Sequence, residues 1–322
     1  MRAIRFERFG DPSEVLRLEE LPDPAPGPGQ VRVRITARPV NPSDRLFVEG
    51  RYGRRPELPS PVGFEAAGVV DDADPGAAIP TGTRVALDAA GTWQEQVIAS
   101  PDDLTVLPDD LADETACQMT INPPTAILLM REAALEPGQW LVQTAGASTV
   151  AQMVTCLAVR QNVHCVNVVR GPLHTRALAA LGAEVIDSSC EPIAGRIADL
   201  TRGEGAAAAF DAVGGTVGEE VARCLGDGGR LISYGLLSGR PIAVRPEDLI
   251  FRSVAVLGFW LPDQLARLHA AARGELTAAV LDALRTGVLP APVDAQYGLD
   301  DFGGALRRAT RPGRMGKVIL TS

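Results

Sequence analysis

Apolar and polar residues alternate at period two over Val31-Arg32-Val33-Arg34-Ile35, which predicts a half-buried strand. Gly68-Val69-Val70 and Arg84-Val85-Ala86-Leu87 predict further strands, and Pro and Gly punctuate the chain around them. The first 110 residues thus predict a small β-rich barrel. From Ala112 to Ala134 the alternation gives way to helical spacing, interrupted at Pro123-Pro124.

Beyond that point strand-like and helix-like runs take turns. Trp140–Thr144, Val163–Val169, Glu184–Ile186, Ala207–Phe210, Arg230–Tyr234 and Val254–Leu257 read as strands, with Ala/Leu-rich segments between most of them. That succession predicts an α/β unit built on a doubly wound parallel sheet. After residue 262 a helical piece leads into short strands ending in Gly316-Lys317-Val318-Ile319-Leu320, a tail whose strand character returns it to the first domain. The expected division is a β-rich domain over 1–117, completed by 262–322, and a nucleotide-binding domain over 118–261. Two domains also suit 322 residues, more than one core ordinarily supports.

Composition removes several function classes. A net charge of −9, with no dense block of Lys and Arg, argues against nucleic acid as a partner. The start, Met1-Arg2-Ala3-Ile4-Arg5-Phe6, lacks the apolar stretch of a signal peptide, and no run of about 18 apolar residues exists to cross a bilayer, so no membrane partner and a cytoplasmic location are expected. Cys117, Cys156, Cys165, Cys190 and Cys224 are odd in number and widely spaced among Ala, Val and Leu, which predicts reduced, mostly buried thiols. There is no C-x-x-C pair, and His164, His174 and His269 stand in no ligand spacing with a cysteine, so no metal site is expected.

The strongest local chemistry follows Trp140. Leu141-Val142-Gln143-Thr144 runs into Ala145-Gly146-Ala147-Ser148-Thr149-Val150-Ala151 and then a helical segment to Val159. A strand, a small-residue turn and a helix start in that order set a pyrophosphate on backbone amides at the positive end of the helix dipole. Gly146, Ala147, Ser148, Thr149 and Val150 are the candidate contacts. Ala145 and Ala151 occupy positions where the full glycine fingerprint has glycines, so an ordinary tight β–α turn is the competing reading. The next strand ends Val168-Val169-Arg170 rather than on an acidic residue roughly 20 positions after the turn, where an NAD enzyme binds the ribose hydroxyls. An arginine there can pair with a 2′-phosphate, which favours NADPH; a solvated surface charge is the alternative.

Several segments together resemble the zinc-free quinone oxidoreductase and 2-enoyl thioester reductase branch of the medium-chain dehydrogenases. They are Asn41-Pro42-Ser43-Asp44, Glu49-Gly50-Arg51-Tyr52, Pro59 to Val70 with Gly63-Phe64-Glu65, Gly91-Thr92-Trp93, Thr120-Ile121-Asn122-Pro123-Pro124-Thr125-Ala126, Phe210 to Gly215, Tyr234-Gly235, Gly258-Phe259-Trp260-Leu261. The resemblance spans essentially the whole chain and favours the mitochondrial-type enoyl thioester reductases. It implies a GroES-like catalytic domain plus a Rossmann domain, and a homodimer joined through the sheet edge near Val254–Leu257. Zinc-dependent relatives carry Cys near position 41, His near position 64 and a four-cysteine lobe; this chain has Asn41, Phe64 and no lobe.

The same resemblance implies hydride transfer from NADPH to the β-carbon of a conjugated acceptor. Tyr52 matches the tyrosine that polarises the carbonyl, a neutral phenol whose ordinary pKa of about 10 suits a donor to developing enolate charge. Asn41 would sit near the nicotinamide or the carbonyl, although Asn before Pro also forms turns. Thr125 and Tyr234 are implied as cofactor contacts, Trp260 and Phe259 as pocket residues. Arg54 and Arg55 would either attract an anionic ester or be solvated. The competing functions are a cofactor-binding regulatory or structural protein without turnover, and a tailoring reductase dedicated to one secondary metabolite.

Overall fold

A computed structural model describes all residues, Met1–Ser322. Eight strands come first: β1 (Arg2–Phe6), β2 (Arg17–Glu20), β3 (Val31–Pro39), β4 (Ser60–Pro61), β5 (Glu65–Ala73), β6 (Arg84–Asp88), β7 (Gln96–Ala99) and β8 (Leu104–Val106). Six follow in the middle: β9 (Trp140–Gln143), β10 (His164–Val169), β11 (Glu184–Asp187), β12 (Ala206–Asp211), β13 (Leu225–Ser233) and β14 (Ala255–Gly258). The last two are β15 (Val293–Gly298) and β16 (Lys317–Thr321). The chain forms two compact units, Met1–Asn122 with Ala279–Thr286 and Ala291–Ser322, and Pro123–Ala278 with Gly287–Pro290.

In the first unit a seven-stranded sheet runs β15-β16-β3-β5-β6-β8, with β7 also paired to β3, and a three-stranded sheet runs β2-β1-β4. The alternation in β3 is the cause of its register: Val31, Val33 and Ile35 are fully buried while Arg32 and Arg34 turn outward. The tail strand β16 lies antiparallel to β3, with Ile319 opposite Pro39. Val318 and Leu320 join Ile4, Phe6, Val48, Val62 and Trp93 in one core.

The second unit is a six-stranded parallel sheet in the order β11-β10-β9-β12-β13-β14. Counted from β9 this is the 3-2-1-4-5-6 order of dinucleotide-binding folds, whose strand order reverses between β9 and β12. Strands covered on both faces lose the in–out alternation seen in β3: in β10 all residues after His164 are buried, and in β12 all but Ala207 are. Pro123-Pro124, expected to interrupt a helix, instead stand in the first turn of the helix Asn122–Ala133, where a missing N–H costs no ladder bond. No helix is long and apolar enough to cross a membrane.

Candidate active site

The crevice at a strand-order reversal is where a sheet of this kind receives a ligand, so the ends of β9 and β12 come first. Thr144, just past β9, donates its hydroxyl to Asp211 Oδ1 at 2.7 Å and accepts from the Ala212 amide at 2.9 Å. The amides of Val213 and Gly214 also donate to Asp211, each at 2.9 Å. A fully buried carboxylate satisfied by neutral donors thereby ties the two strand ends together.

The turn after β9 is built to approach something closely. Ala145 holds φ +50°, the left-handed conformation usually left to glycine. At Gly146 a Cβ would meet Asn167 Cβ at 2.7 Å and its backbone at 3.1 Å, so only glycine lets the turn pass β10. Ser148 caps the helix Thr149–Arg160, its hydroxyl accepting from the Ala151 amide at 3.2 Å. Its own amide is spent on Ala145 O, so Ser148 offers its hydroxyl rather than its N–H. The helical ladder opens with Gln152 N donating to Ser148 O, which leaves the Thr149 and Val150 amides outside it. Ala147 lies in the turn, its carbonyl accepting from Gln152 Nε2 at 3.0 Å.

Ala151 proves to be a packing position. It is fully buried, and its carbonyl accepts from Gln143 Nε2 at 2.9 Å. Gln143 also donates to Asn167 at 2.6 Å, and Asn167 to Thr155 at 3.0 Å, so a buried amide network props the helix from beneath. Tyr234 follows β13, its amide donating to Asp211 O at 2.9 Å. Its buried hydroxyl neighbours Ser148, and burial raises the phenol pKa, so it stays protonated. The structure thus gathers Gly146, Ala147, Ser148, Thr149, Val150 and Tyr234 at one place. Arg170 is exposed at the end of β10, and the Gly171 amide beside it donates to Asp187 Oδ1 at 2.8 Å. Thr125 is buried in the first turn of Asn122–Ala133. Trp260 is half-buried before the helix Leu261–Ala266, whereas Phe259 is buried, its amide donating to Ser233 O.

In the first unit Tyr52 packs its ring on Phe64 at 5.1 Å and edge-on to Phe47 at 6.5 Å. Arg55 lies over the Phe9 ring, 4.9 Å from its centroid, which gives that cation an aromatic partner within the fold. Asn41 is the N-cap of the helix Pro42–Val48: Pro42 opens the helix, and Asp44 accepts from the Asn41 amide at 2.7 Å. The Asn41 side chain donates to Glu65 Oε1 at 2.7 Å and accepts from Lys317 Nζ. Glu65 Oε2 accepts from the amides of Thr120 and Ile121 at 3.2 and 3.1 Å. Burial pushes Glu65 up to about 7 and Asp44 up to about 8, and pulls Lys317 down to about 8 against the attraction of Glu65. Sequence reasoning assigned no chemistry to Glu65, Asp44, Lys317 or Asp211. Asp44, Glu65 and Asp211 stand inside the segments that carry the resemblance, whereas Lys317 shows only as a charge opening the apolar run Lys317-Val318-Ile319-Leu320.

Residues 27–109 match the family model for the alcohol dehydrogenase GroES-like domain, and residues 142–275 the one for zinc-binding dehydrogenase. The mitochondrial enoyl-[acyl-carrier-protein] reductase of Xenopus tropicalis is 32% identical over 99% of this chain and 95% of its own length. The chain belongs to the medium-chain dehydrogenase/reductase family, in its quinone and enoyl reductase branch. Among solved structures, the Pseudomonas syringae quinone oxidoreductase superposes with TM-score 0.90 at 28% identity, covering 100% of this chain and 99% of that one. A mycobacterial protein complexed with NADPH gives the same TM-score and identity, covering 100% of both chains. The family model over the second segment names zinc. In this medium-chain reductase, Asn41 and Phe64 occupy the positions where the resemblance puts Cys and His in zinc-dependent relatives, and no three His, Cys, Asp or Glu side chains gather to hold a metal ion.

Proposed function

We propose that this medium-chain oxidoreductase is NADPH-dependent and zinc-independent, and reduces a conjugated alkene, as in an enone or 2-enoyl thioester, or a quinone. The observation that carries the reading is the small-residue cradle at the reversal of the parallel sheet, followed by Arg170 at the end of the neighbouring strand. Two helix-start amides, the Ser148 hydroxyl and the buried Tyr234 hydroxyl supply donors there, a set that fits a pyrophosphate, while the nearby Asp211 carboxylate is taken up by Thr144 and the Val213 and Gly214 amides. Arg170 would take the 2′-phosphate as a charge-assisted partner. The name of the Xenopus tropicalis relative supports an enoyl acceptor, and the NADPH-bound neighbour supports the choice of cofactor.

When bound, a nicotinamide would supply the hydride. The chain's own part is to stabilise the charge that then develops on the acceptor's oxygen. Tyr52 does this by donating its phenolic hydrogen, held by a ring fixed between Phe64 and Phe47. Asn41 adds an amide donor, since Glu65 uses one of its two Nδ2 hydrogens. Trp260 offers the apolar wall, with Phe259 buried behind the surface.

The test is NADPH oxidation followed by absorbance against quinones, enones and 2-enoyl-CoA esters, with NADH in parallel. Rapid NADPH-preferring turnover of one acceptor class supports the reading. Binding of NADPH without reduction of any acceptor class would favour the non-enzymatic alternative.

The same reading includes a homodimer. Strand β14 is paired on one side only, and nearby Ile250 and Phe251 are 67% and 78% exposed. Joining two such edges would continue the sheet and cover these side chains. Phe251→Glu is therefore expected to shift the particle from dimer to monomer mass by light scattering; a wild type already monomeric at micromolar concentration rules the dimer out.

A further inference from the structure

Beside Asn41 the interior of the first unit holds the buried charges Lys317 and Glu65. Lys317 opens β16 and lies outside both segments matched by the family models, Glu65 opens β5, and both are almost fully shielded from water. A buried opposite-charge pair is weak evidence for stability, because removing both ions from water offsets their attraction. The geometry indicates orientation instead. A side-chain amide ordinarily exchanges its two ends by a half-turn of its last torsion. Here an ammonium, which can only donate, holds Asn41 Oδ1, and a carboxylate, which can only accept, holds Nδ2 at 2.7 Å. The reversed amide would set N–H against Lys317 and C=O against Glu65. Glu65 is itself anchored by the Thr120 and Ile121 amides and the Thr120 hydroxyl.

We propose that Lys317 and Glu65 are positioning residues that lock the Asn41 amide in one orientation, so that its second Nδ2 hydrogen is presented to the oxygen of the acceptor. This rests on the reductase reading. The ammonium on Oδ1 also draws density from the amide and strengthens that donor. The lock requires Lys317 charged and Glu65 ionised. Around Lys317 stand Glu65, Asp44, Arg314 and Cys117; around Glu65 stand Lys317, Asp44, Cys117, Asn41, Thr120 and Ile121. Burial lowers Lys317 and raises Glu65, so the locked form is lost on the alkaline side as Lys317 deprotonates and on the acid side as Glu65 takes a proton, with Asp44, also raised by burial, titrating beside them.

The experiment compares wild type, Lys317→Met and the charge-balanced Lys317→Met/Glu65→Gln double variant. It measures kcat and KM for the acceptor from pH 6 to about 10, NADPH binding by fluorescence, and thermal melting. In Lys317→Met, kcat is expected to fall about tenfold or more while the acceptor KM and NADPH affinity stay within about threefold. The alkaline limb of the wild-type kcat profile should vanish. The double variant should fall no further than the single one, since residues acting as a unit are not additive; it also carries the test if Lys317→Met does not fold. Wild-type kcat and an intact alkaline limb in these variants, with only the melting temperature lowered, overturn the positioning role alone. A wild type that reduces no acceptor overturns the reductase reading and this inference together.

Discussion

Tyr52→Phe is expected to lower kcat about 10²–10³-fold with an enone or enoyl thioester, the loss that follows removal of one donor to a developing oxyanion. The substitution deletes only the hydroxyl. The ring keeps its packing on Phe64 and its edge contact with Phe47, so folding should survive and NADPH affinity should stay within about twofold of wild type. Steady-state kinetics with a parallel NADPH titration checks both halves. A variant with the wild-type kcat would remove Tyr52 from the chemistry and leave Asn41 as the donor to examine. A loss confined to KM would mean that the hydroxyl binds substrate and transition state alike.

Arg170→Ala is expected to weaken NADPH about 10–100-fold and to leave NADH within about twofold, because a charge-assisted contact to phosphate contributes roughly 1.5–3 kcal/mol and NADH lacks that phosphate. Arg170 is exposed, and the turn after it is held by Asp187 through the Gly171 amide, so its removal should not disturb the strand end. The ratio of kcat/KM for the two cofactors is the measurement. Equal loss with NADPH and NADH would mean that the arginine supports the turn itself, and no change with either would place the 2′-phosphate elsewhere.

The nucleotide cradle and the buried cluster around Asn41 differ in how far the sequence discloses them. The nucleotide cradle is a local object: strand, small-residue turn and helix start fall within one stretch from Trp140 to Arg160, and the Ser148 cap is made by a neighbour three residues away. Even there the packing of helix on strand decides the role of Ala151, whose carbonyl accepts from Gln143 beneath the helix. Strand β13 begins at Leu225, five residues before the apolar run at Arg230, because Gly226, Gly228 and Gly229 carry no side-chain alternation to read.

By itself the sequence determined what depends on neighbours along the chain. The period-two register of β3 and the apolar strands of the parallel sheet are such features, as is the motif order that marks the family. Tertiary structure alone decided which charges share the interior. Asn41, Glu65 and Lys317 are brought together only when the tail strand β16 pairs with β3, and Thr144 reaches Asp211 only when β12 docks beside β9. Hydrogen bonds act over about 3 Å in space whatever the separation along the chain, so no local pattern encodes them.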